Sequence, residues 1–369
     1  MANMDKTVNS ENATNASNAA TATNTANAAI SFNTLGFNIV PPHTETNHIL
    51  TRSDKLGALK VRLGFGRNTY TVTPGLYSIG KPDASAPVLV TSNYKLTFDT
   101  VRKTLEGFSA WILVLDTKGV NVWCAAGKGT FGTSELVNRI QSVNLSAVVN
   151  HKRIILPQLG APGVSAHEVT SKTGFKVVYG PVRAEDIKAF VAAGYEATVE
   201  MRTVTFGLKE RVVLTPVELL PALKKSLLIF GVLFILNGLG VGRFTGMDIW
   251  AVLGTVFAGA VMVPLLLPYI PGRAFSFKGW LLGILWTIFV IWRNDLINLP
   301  SIPWLRMAAY VTILPMISAY IGMNFTGAST YTSFSGVKKE MKIALPIMLV
   351  SVGVGLVFLL IEMISEVLI

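Results

Sequence analysis

Between Arg52 and Ala222, four short apolar runs alternate with stretches whose apolar residues recur at helical spacing. The runs are PVLVTS (87–92), SAWILVLD (109–116), KRIILP (152–157) and FKVVYG (175–180). The stretches that follow them are FDTVRKTLEG, TSELVNRIQ, SAHEVTSKTG and RAEDIKAFVAAG. Unbroken apolarity in runs this short marks strands buried on both faces, so the pattern predicts a Rossmann-like α/β domain over 52–222, a mainly parallel sheet flanked by helices. Such sheets bind ligands in the loops after the carboxyl ends of their strands. One of these loops follows the strand ending near Asp116 and reads GVNVWCAAGKGTFGT, Gly119 to Thr133.

The pattern changes after Lys224 and Lys225. Five apolar stretches, about 226–242, 249–271, 275–292, 304–323 and 343–361, approach the length that crosses roughly 30 Å of hydrocarbon, predicting an all-α transmembrane domain over 223–369. The third has an uninterrupted core of 14 residues, GWLLGILWTIFVIW, and reaches span length only if Lys278 snorkels; a re-entrant segment is the alternative. With the α/β domain inside, the cytoplasmic flanks carry Lys224, Lys225, Arg273, Lys278, Lys338, Lys339 and Lys342, against Arg243, Arg293 and Arg306 outside. Pro264, Pro268, Pro315 and Pro346 inside the spans require neighbouring helices to satisfy the freed carbonyls. No span carries a charge cluster at its centre, so an ion pathway is unsupported. The loop Asn324 to Lys342, rich in Thr, Ser and Gly, reads either as a plain cytoplasmic connector or as a docking surface.

Composition agrees with the membrane assignment: 51% hydrophobic residues, 14% charged and a mean hydropathy of +0.49. From Glu11 to Ala29, 17 of 19 residues are Ala, Asn or Thr, too little apolar surface to offset the entropy of ordering, so 1–51 is expected to be a disordered tail. It lacks the basic flank and apolar core of a signal peptide, which places the α/β domain in the cytoplasm and the protein in the inner membrane. The net charge of +11 comes from dispersed residues with no aromatic interleaving, so no nucleic-acid partner is expected. His43, His48, His151 and His167 show no metal-ligand spacing. Cys124, the only cysteine, allows neither a disulfide nor an iron–sulfur cluster built from this chain alone.

Several readings of the Cys124 loop stand side by side. A Walker-type phosphate loop fails on spacing, because Val122 replaces the first glycine and Gly129 the Mg²⁺-binding hydroxyl residue. A dinucleotide site fits GKGTFG (127–132), but these glycines lie some ten residues beyond the strand, and Lys152 stands where an acidic ribose ligand belongs. In a third reading Asn121 caps a helix over Val122 to Lys128. Cys124 and Lys128 share one face, the helix dipole and Lys128 suit a thiolate ligand, and Ala125, Ala126, Gly127 and Gly129 leave room for a large flat molecule. An inert buried cysteine is the fourth.

NVWCAAGK, Asn121 to Lys128, resembles the signature of the mercury-methylating corrinoid proteins, the HgcA family, in which Asn-Val/Ile-Trp-Cys-Ala-Ala/Gly-Gly-Lys forms a cap helix over a corrinoid. All eight positions match, and the order of α/β domain and membrane helices is similar as well. GKGTFGT, Gly127 to Thr133, is similar to the corrinoid iron–sulfur protein of the acetyl-CoA pathway, which is soluble and carries its own cluster and a barrel domain. The Ala/Asn/Thr tail departs from the family pattern. So does the lack of an Asp-x-His-x-x-Gly motif, which leaves no histidine of that kind as lower ligand.

The resemblance implies that Cys124 is the lower axial ligand of cobalt in a corrinoid such as cobalamin. It implies that Asn121, Val122, Trp123, Ala125, Ala126, Gly127, Lys128, Gly129 and Thr130 form the rest of the site. Trp123 then serves chiefly as a packing anchor between cap helix and sheet, or otherwise as a wall against the corrin. The implied activity is corrinoid-dependent methyl transfer from methyl-Co(III) to Hg(II), giving methylmercury in an anaerobe. Alternatives are a methyl carrier of one-carbon metabolism, or a transporter or anchor with a nucleotide-binding domain. The implied partners are a ferredoxin-like protein with two 4Fe–4S clusters, HgcB, as donor of electrons and Hg(II), and a methyl-folate or pterin methyltransferase as methyl source.

Overall fold

The computed structural model describes residues 42–240, 244–294, 296, 303–328 and 334–368; the Ala/Asn/Thr-rich stretch lies outside them. Two units result: a sheet unit extending to Arg202, and a helical unit made of Thr51–Tyr70 and Thr203–Ile369.

Six strands build the sheet: β1 (Thr44–Thr46), β2 (Gly75–Ile79), β3 (Val88–Ser92), β4 (Ala110–Leu115), β5 (Arg153–Leu156) and β6 (Lys176–Tyr179). Their order is β1-β2-β4-β3-β5-β6, with β4, β3, β5 and β6 mutually parallel. Every residue of β3 and β4 is buried, as strands covered on both faces require. Alternate side chains divide between two cores. Val88, Val90, Leu113 and Leu115 pack with Phe131, Leu136, Ile140 and Phe175 on one face, while Leu89, Ile112, Val114 and Ile155 pack with Phe98, Phe190 and Ile187 on the other. Full burial of each such side chain contributes about 1.5–3 kcal/mol.

The helices of this unit that bear on the site are α2 (Lys95–Thr104), α3 (Val122–Lys128), α4 (Thr133–Ser142), α5 (Ala166–Thr173) and α6 (Ile187–Ala192); α1 (Arg52–Arg62) belongs to the helical unit. Two features depart from the sequence reading. Strand β2 runs antiparallel to β4, so the sheet is mixed. Strand β1 lies within the expected tail: Thr44–Thr46 pair with Tyr77–Ile79, and buried Arg102 donates to the carbonyls of Asn47 and Ile49 at 2.9 Å, which fixes the segment beside α2. Backbone hydrogen bonds to a neighbouring strand order a segment that its own composition cannot.

In the helical unit, five helices are long and apolar enough to cross a membrane: α7 (Leu208–Gly238), α8 (Gly246–Leu266), α9 (Phe275–Arg293), α10 (Pro303–Asn324) and α11 (Phe334–Leu368). Helix α8 contains a π-helical turn, Ala258–Met262. The third stretch is one unbroken helix of 19 residues, and the re-entrant alternative is set aside. Lys278 does not snorkel: it is 7% exposed and its ammonium donates to the Leu267 carbonyl. The reason lies four residues downstream, where Pro271 has no amide to close that helical bond. Pro268 likewise leaves the Pro264 carbonyl open, and buried Arg211 donates to it at 3.2 Å and to Leu265 O at 2.7 Å. Cations from α7 and α9 thus complete the frayed end of α8.

A charge cluster also forms where no single span carries one. Arg306 Nε lies 2.9 Å from Glu362 Oε1 and its Nη1 3.7 Å from Asp248 Oδ2, while Tyr310 donates to Asp248 Oδ1 at 2.6 Å. Three helix ends, of α8, α10 and α11, are tied at one level. Sequence spacing hides the cluster because its members lie 56 and 62 residues apart. Arg306→Met takes the shared cation from part-buried Asp248 and buried Glu362 and should cost toward the low end of the roughly 3–5 kcal/mol that breaking a buried pair costs. Thermal unfolding of the detergent-solubilised protein checks this; Arg306→Lys should retain most of the stability.

Candidate functional site

Helix α3 is held at both ends by its own sequence. Asn121 is its N-cap, extended at φ −65° and ψ 161°, and its Oδ1 accepts from the Cys124 amide at 2.9 Å. Gly129 closes the far end in the left-handed region at φ 79°, a conformation that favours glycine, and the Thr130 and Phe131 amides both donate to the Ala125 carbonyl.

The seven residues between divide into two faces. Val122, Ala125 and Ala126 are buried against the sheet; Trp123, Cys124, Gly127 and Lys128 are exposed. The expectation that Ala125 and Ala126 leave room for a ligand is therefore corrected, since their methyl groups fill the core. Gly127 and Gly129 supply that room: a Cβ added at either meets nothing within 4 Å. Trp123, expected chiefly as an anchor between helix and sheet, is 39% exposed and edges a cavity. Nor is Cys124 an inert buried cysteine, because its side chain stands free at the surface.

Two supports outside the motif, both unforeseen, position this helix. The first is Asn93, just past β3 and 5% exposed, whose Oδ1 accepts from the Thr117 amide at 3.1 Å, the Thr117 hydroxyl at 2.9 Å and the Gly119 amide at 3.1 Å. Its Nδ2 donates to Asp116, whose carboxyl is held below the usual carboxylate range by the hydrogen bond from Lys118. One side chain thereby organises the turn between β4 and α3. The second is the 3₁₀ segment Gln158–Gly163 after β5. A Cβ on Gly163 would sit 2.2 Å from the Phe131 carbonyl oxygen and 3.0 Å from Ala126 Cα, so only glycine admits this approach to α3.

Beside α3 lies an apolar cavity of about 370 Å³, bounded by Leu89, Val90 and Thr91 of β3, Ile155 of β5 and Pro157 just after it, Pro181 and Val182 after β6, and Asn121–Trp123. It opens at the carboxyl ends of β3 and β5, the neighbouring strands between which the direction of chain progress reverses, the place where open α/β sheets bind ligands. The Thr91 hydroxyl, on a residue 1% exposed, has no hydrogen-bond partner among the described residues. Burying a hydroxyl without a partner costs about 1–3 kcal/mol, which marks this wall as awaiting a polar atom. Buried strand runs hid Thr91 in the sequence; only the strand order selects it. The GKGTFG glycines do not make a dinucleotide turn, because Gly127 and Gly129 end helix α3 instead of opening a helix directly after a strand.

Fold and site together define an α/β unit, with an exposed thiol beside a switch-point cavity, followed by five apolar helices. Residues 63–191 match the family described as CO dehydrogenase/acetyl-CoA synthase delta subunit. Among curated proteins, the chain is 35% identical over 127 residues to the acetyl-CoA decarbonylase/synthase complex subunit gamma of Archaeoglobus fulgidus, and 33% identical over 132 residues to that of Methanocaldococcus jannaschii. These alignments span 34% and 35% of this chain and 27% of each relative. The corrinoid/iron–sulfur protein large subunit of Moorella thermoacetica is 31% identical over 154 residues, 39% of this chain and 34% of that protein. The chain thus spans roughly a quarter to a third of the length of the relatives it matches. The residues matched by the family, 63–191, lie mostly in the sheet unit.

Asn93→Ala leaves the Thr117 and Gly119 amides without their acceptor and should destabilise the sheet unit by about 1–3 kcal/mol. Hydrogen exchange of those two amides should rise while amides of β3 stay protected; unchanged protection at Thr117 and Gly119 would show the turn to be held by something else.

Proposed function

We propose that this protein is a membrane-held corrinoid methyltransferase in which the Cys124 thiolate would hold the cobalt. When bound, the corrinoid supplies a metal that accepts and gives up a methyl group. The chain's own residues fit that guest. Gly127 leaves the backbone beside Cys124 bare, so a flat ring can approach the thiol; Lys128, one turn on and on the same face, would meet a ring amide; and the cavity beside Trp123 would take an appended apolar base, with Thr91 among its polar lining residues. Asn121 and Asn93 hold the thiol's helix at a fixed angle. The observation that carries the reading is the exposed Cys124 on a helix face opened by Gly127, next to a cavity at the sheet's switch point.

The similarity to a corrinoid/iron–sulfur protein and to acetyl-CoA decarbonylase/synthase subunits supports the coarser reading, a corrinoid methyl carrier, which needs only that a corrinoid be held. The finer reading names Hg(II) as the methyl acceptor and methylmercury as product. Its support is the octapeptide Asn121–Lys128 together with the five helices, as in the resemblance described above. The chemistry agrees: Hg(II) is a soft electrophile, and a soft, strongly donating thiolate is the ligand that favours handing a methyl group to one. Reducing equivalents come from a partner in this scheme, a ferredoxin-like protein with two 4Fe–4S clusters, and the methyl group from a methyl-folate or pterin enzyme. The sheet unit then faces the cytoplasm, as the lysine and arginine bias favours.

The test uses the full chain reconstituted with methylcobalamin and offered either Hg(II) or a thiol. Methylmercury as the main product supports the finer reading; faster transfer to the thiol supports the general carrier and removes mercury. Loss of an outer-sphere partner at a metal site costs about 10–100-fold, so removal of the ligand itself in Cys124→Ala should lower transfer by more than about 100-fold. Full activity in that variant would remove the role assigned to Cys124.

A further inference from the structure

Helix α1 folds with the helical unit, although its sequence precedes the sheet. Thr51 and Asp54 form a reciprocal capping box at its start. The face formed by Asp54, Gly57, Ala58 and Val61 packs inward, with Val61 4% exposed. The opposite face carries Leu56 and Leu59, 66% and 54% exposed, and Leu63 just beyond the last turn. Lys55 and Arg62 border that leucine stripe on one side and Lys60 on the other, at the angles set by 100° per residue. From Arg52 to Arg67 there are five basic residues, Arg52, Lys55, Lys60, Arg62 and Arg67, and one acidic residue, Asp54, which is occupied in the cap.

The turn after α1 sets its depth. Lys224 Nζ lies 4.2 Å from the centre of the Phe65 ring, and Lys224 is the residue from which the first apolar stretch departs. The helix therefore leads into a loop that meets α7 where the hydrocarbon-length segment begins.

We propose that α1 is an interfacial helix, lying in the headgroup layer with Leu56, Leu59 and Leu63 turned into the acyl boundary and Lys55, Lys60 and Arg62 binding anionic lipid headgroups. A leucine stripe flanked by cations is the pattern of helices that lie in a membrane surface. The cytoplasmic leaflet, on the side to which the basic flanks of α7 belong, is the anionic one. The inference goes beyond the corrinoid reading and rests only on the five helices crossing a bilayer.

Because Cys124 is the only cysteine, Cys124→Ala gives a background for single labels in the full chain. Leu59→Cys carrying an environment-sensitive nitrobenzoxadiazole fluorophore is reconstituted into phosphatidylcholine vesicles with and without phosphatidylglycerol, and quenched by headgroup- or acyl-linked nitroxide lipids. Leu228→Cys, on the exposed side of α7, gives the value for a lipid-embedded label. The expected result is blue-shifted emission at position 59, quenched more by headgroup-proximal than by deep nitroxides and more strongly with phosphatidylglycerol present. Lys55→Glu, Lys60→Glu and Arg62→Glu together should abolish the phosphatidylglycerol-dependent part. Water-like, unquenched emission in both vesicles would overturn the proposal, as would quenching indifferent to lipid charge and to charge reversal. Neither outcome touches cobalamin binding, which is measured separately on the wild-type chain.

Discussion

Seven residues of helix have two faces to supply at once: one seals the sheet's core, and the other leaves a thiol and bare backbone exposed. That division explains the composition of Val122–Lys128. Val122, Ala125 and Ala126 supply the buried face with side chains small enough for Gly163 to pass beneath, and Gly127 leaves backbone bare on the open face that carries Cys124. A helix this short does not hold its angle unaided, because nucleation is costly and few of its hydrogen bonds are internal. Asn121, the Gly129 cap, the Asn93-ordered turn and the buried ring of Phe131 supply what the helix lacks.

Much of this is legible in the chain. Runs such as SAWILVLD announce buried strands, Asn121 announces a cap, and the glycine after Lys128 announces a helix end. Three things are not. Strand β2 contributes GLYSI, whose antiparallel placement depends on which edge of β4 stays open after β3 has paired, a fact of topology. The cavity lies between strands 64 or more residues apart in the chain, so Thr91 and Pro157 meet only through strand order. The inward turn of Ala125 and Ala126 follows from the helix's rotation about its axis, which a list of small residues does not specify.

The helical unit shows the same limit. Five spans are readable from apolar length, but the partners of their broken backbones are not: Arg211, 53 residues from Pro264, and Lys278, across a turn from Leu267 and on the next helix, complete the carbonyls that Pro268 and Pro271 cannot. The Asp248–Arg306–Glu362 cluster is invisible for the same reason. The ends of α8, α10 and α11 are pinned by charge and the other end of α8 by cation-to-carbonyl bonds from α7 and α9, which gives a bundle with fixed ends, more than a set of tethers.

The central claim is a bond between the Cys124 sulfur and cobalt. Extended X-ray absorption at the cobalt edge of the methyl-loaded full chain measures it directly. The account predicts one sulfur scatterer in the axial position, absent from the Cys124→Ala protein. A shell of nitrogen and oxygen alone in the wild-type protein would contradict it.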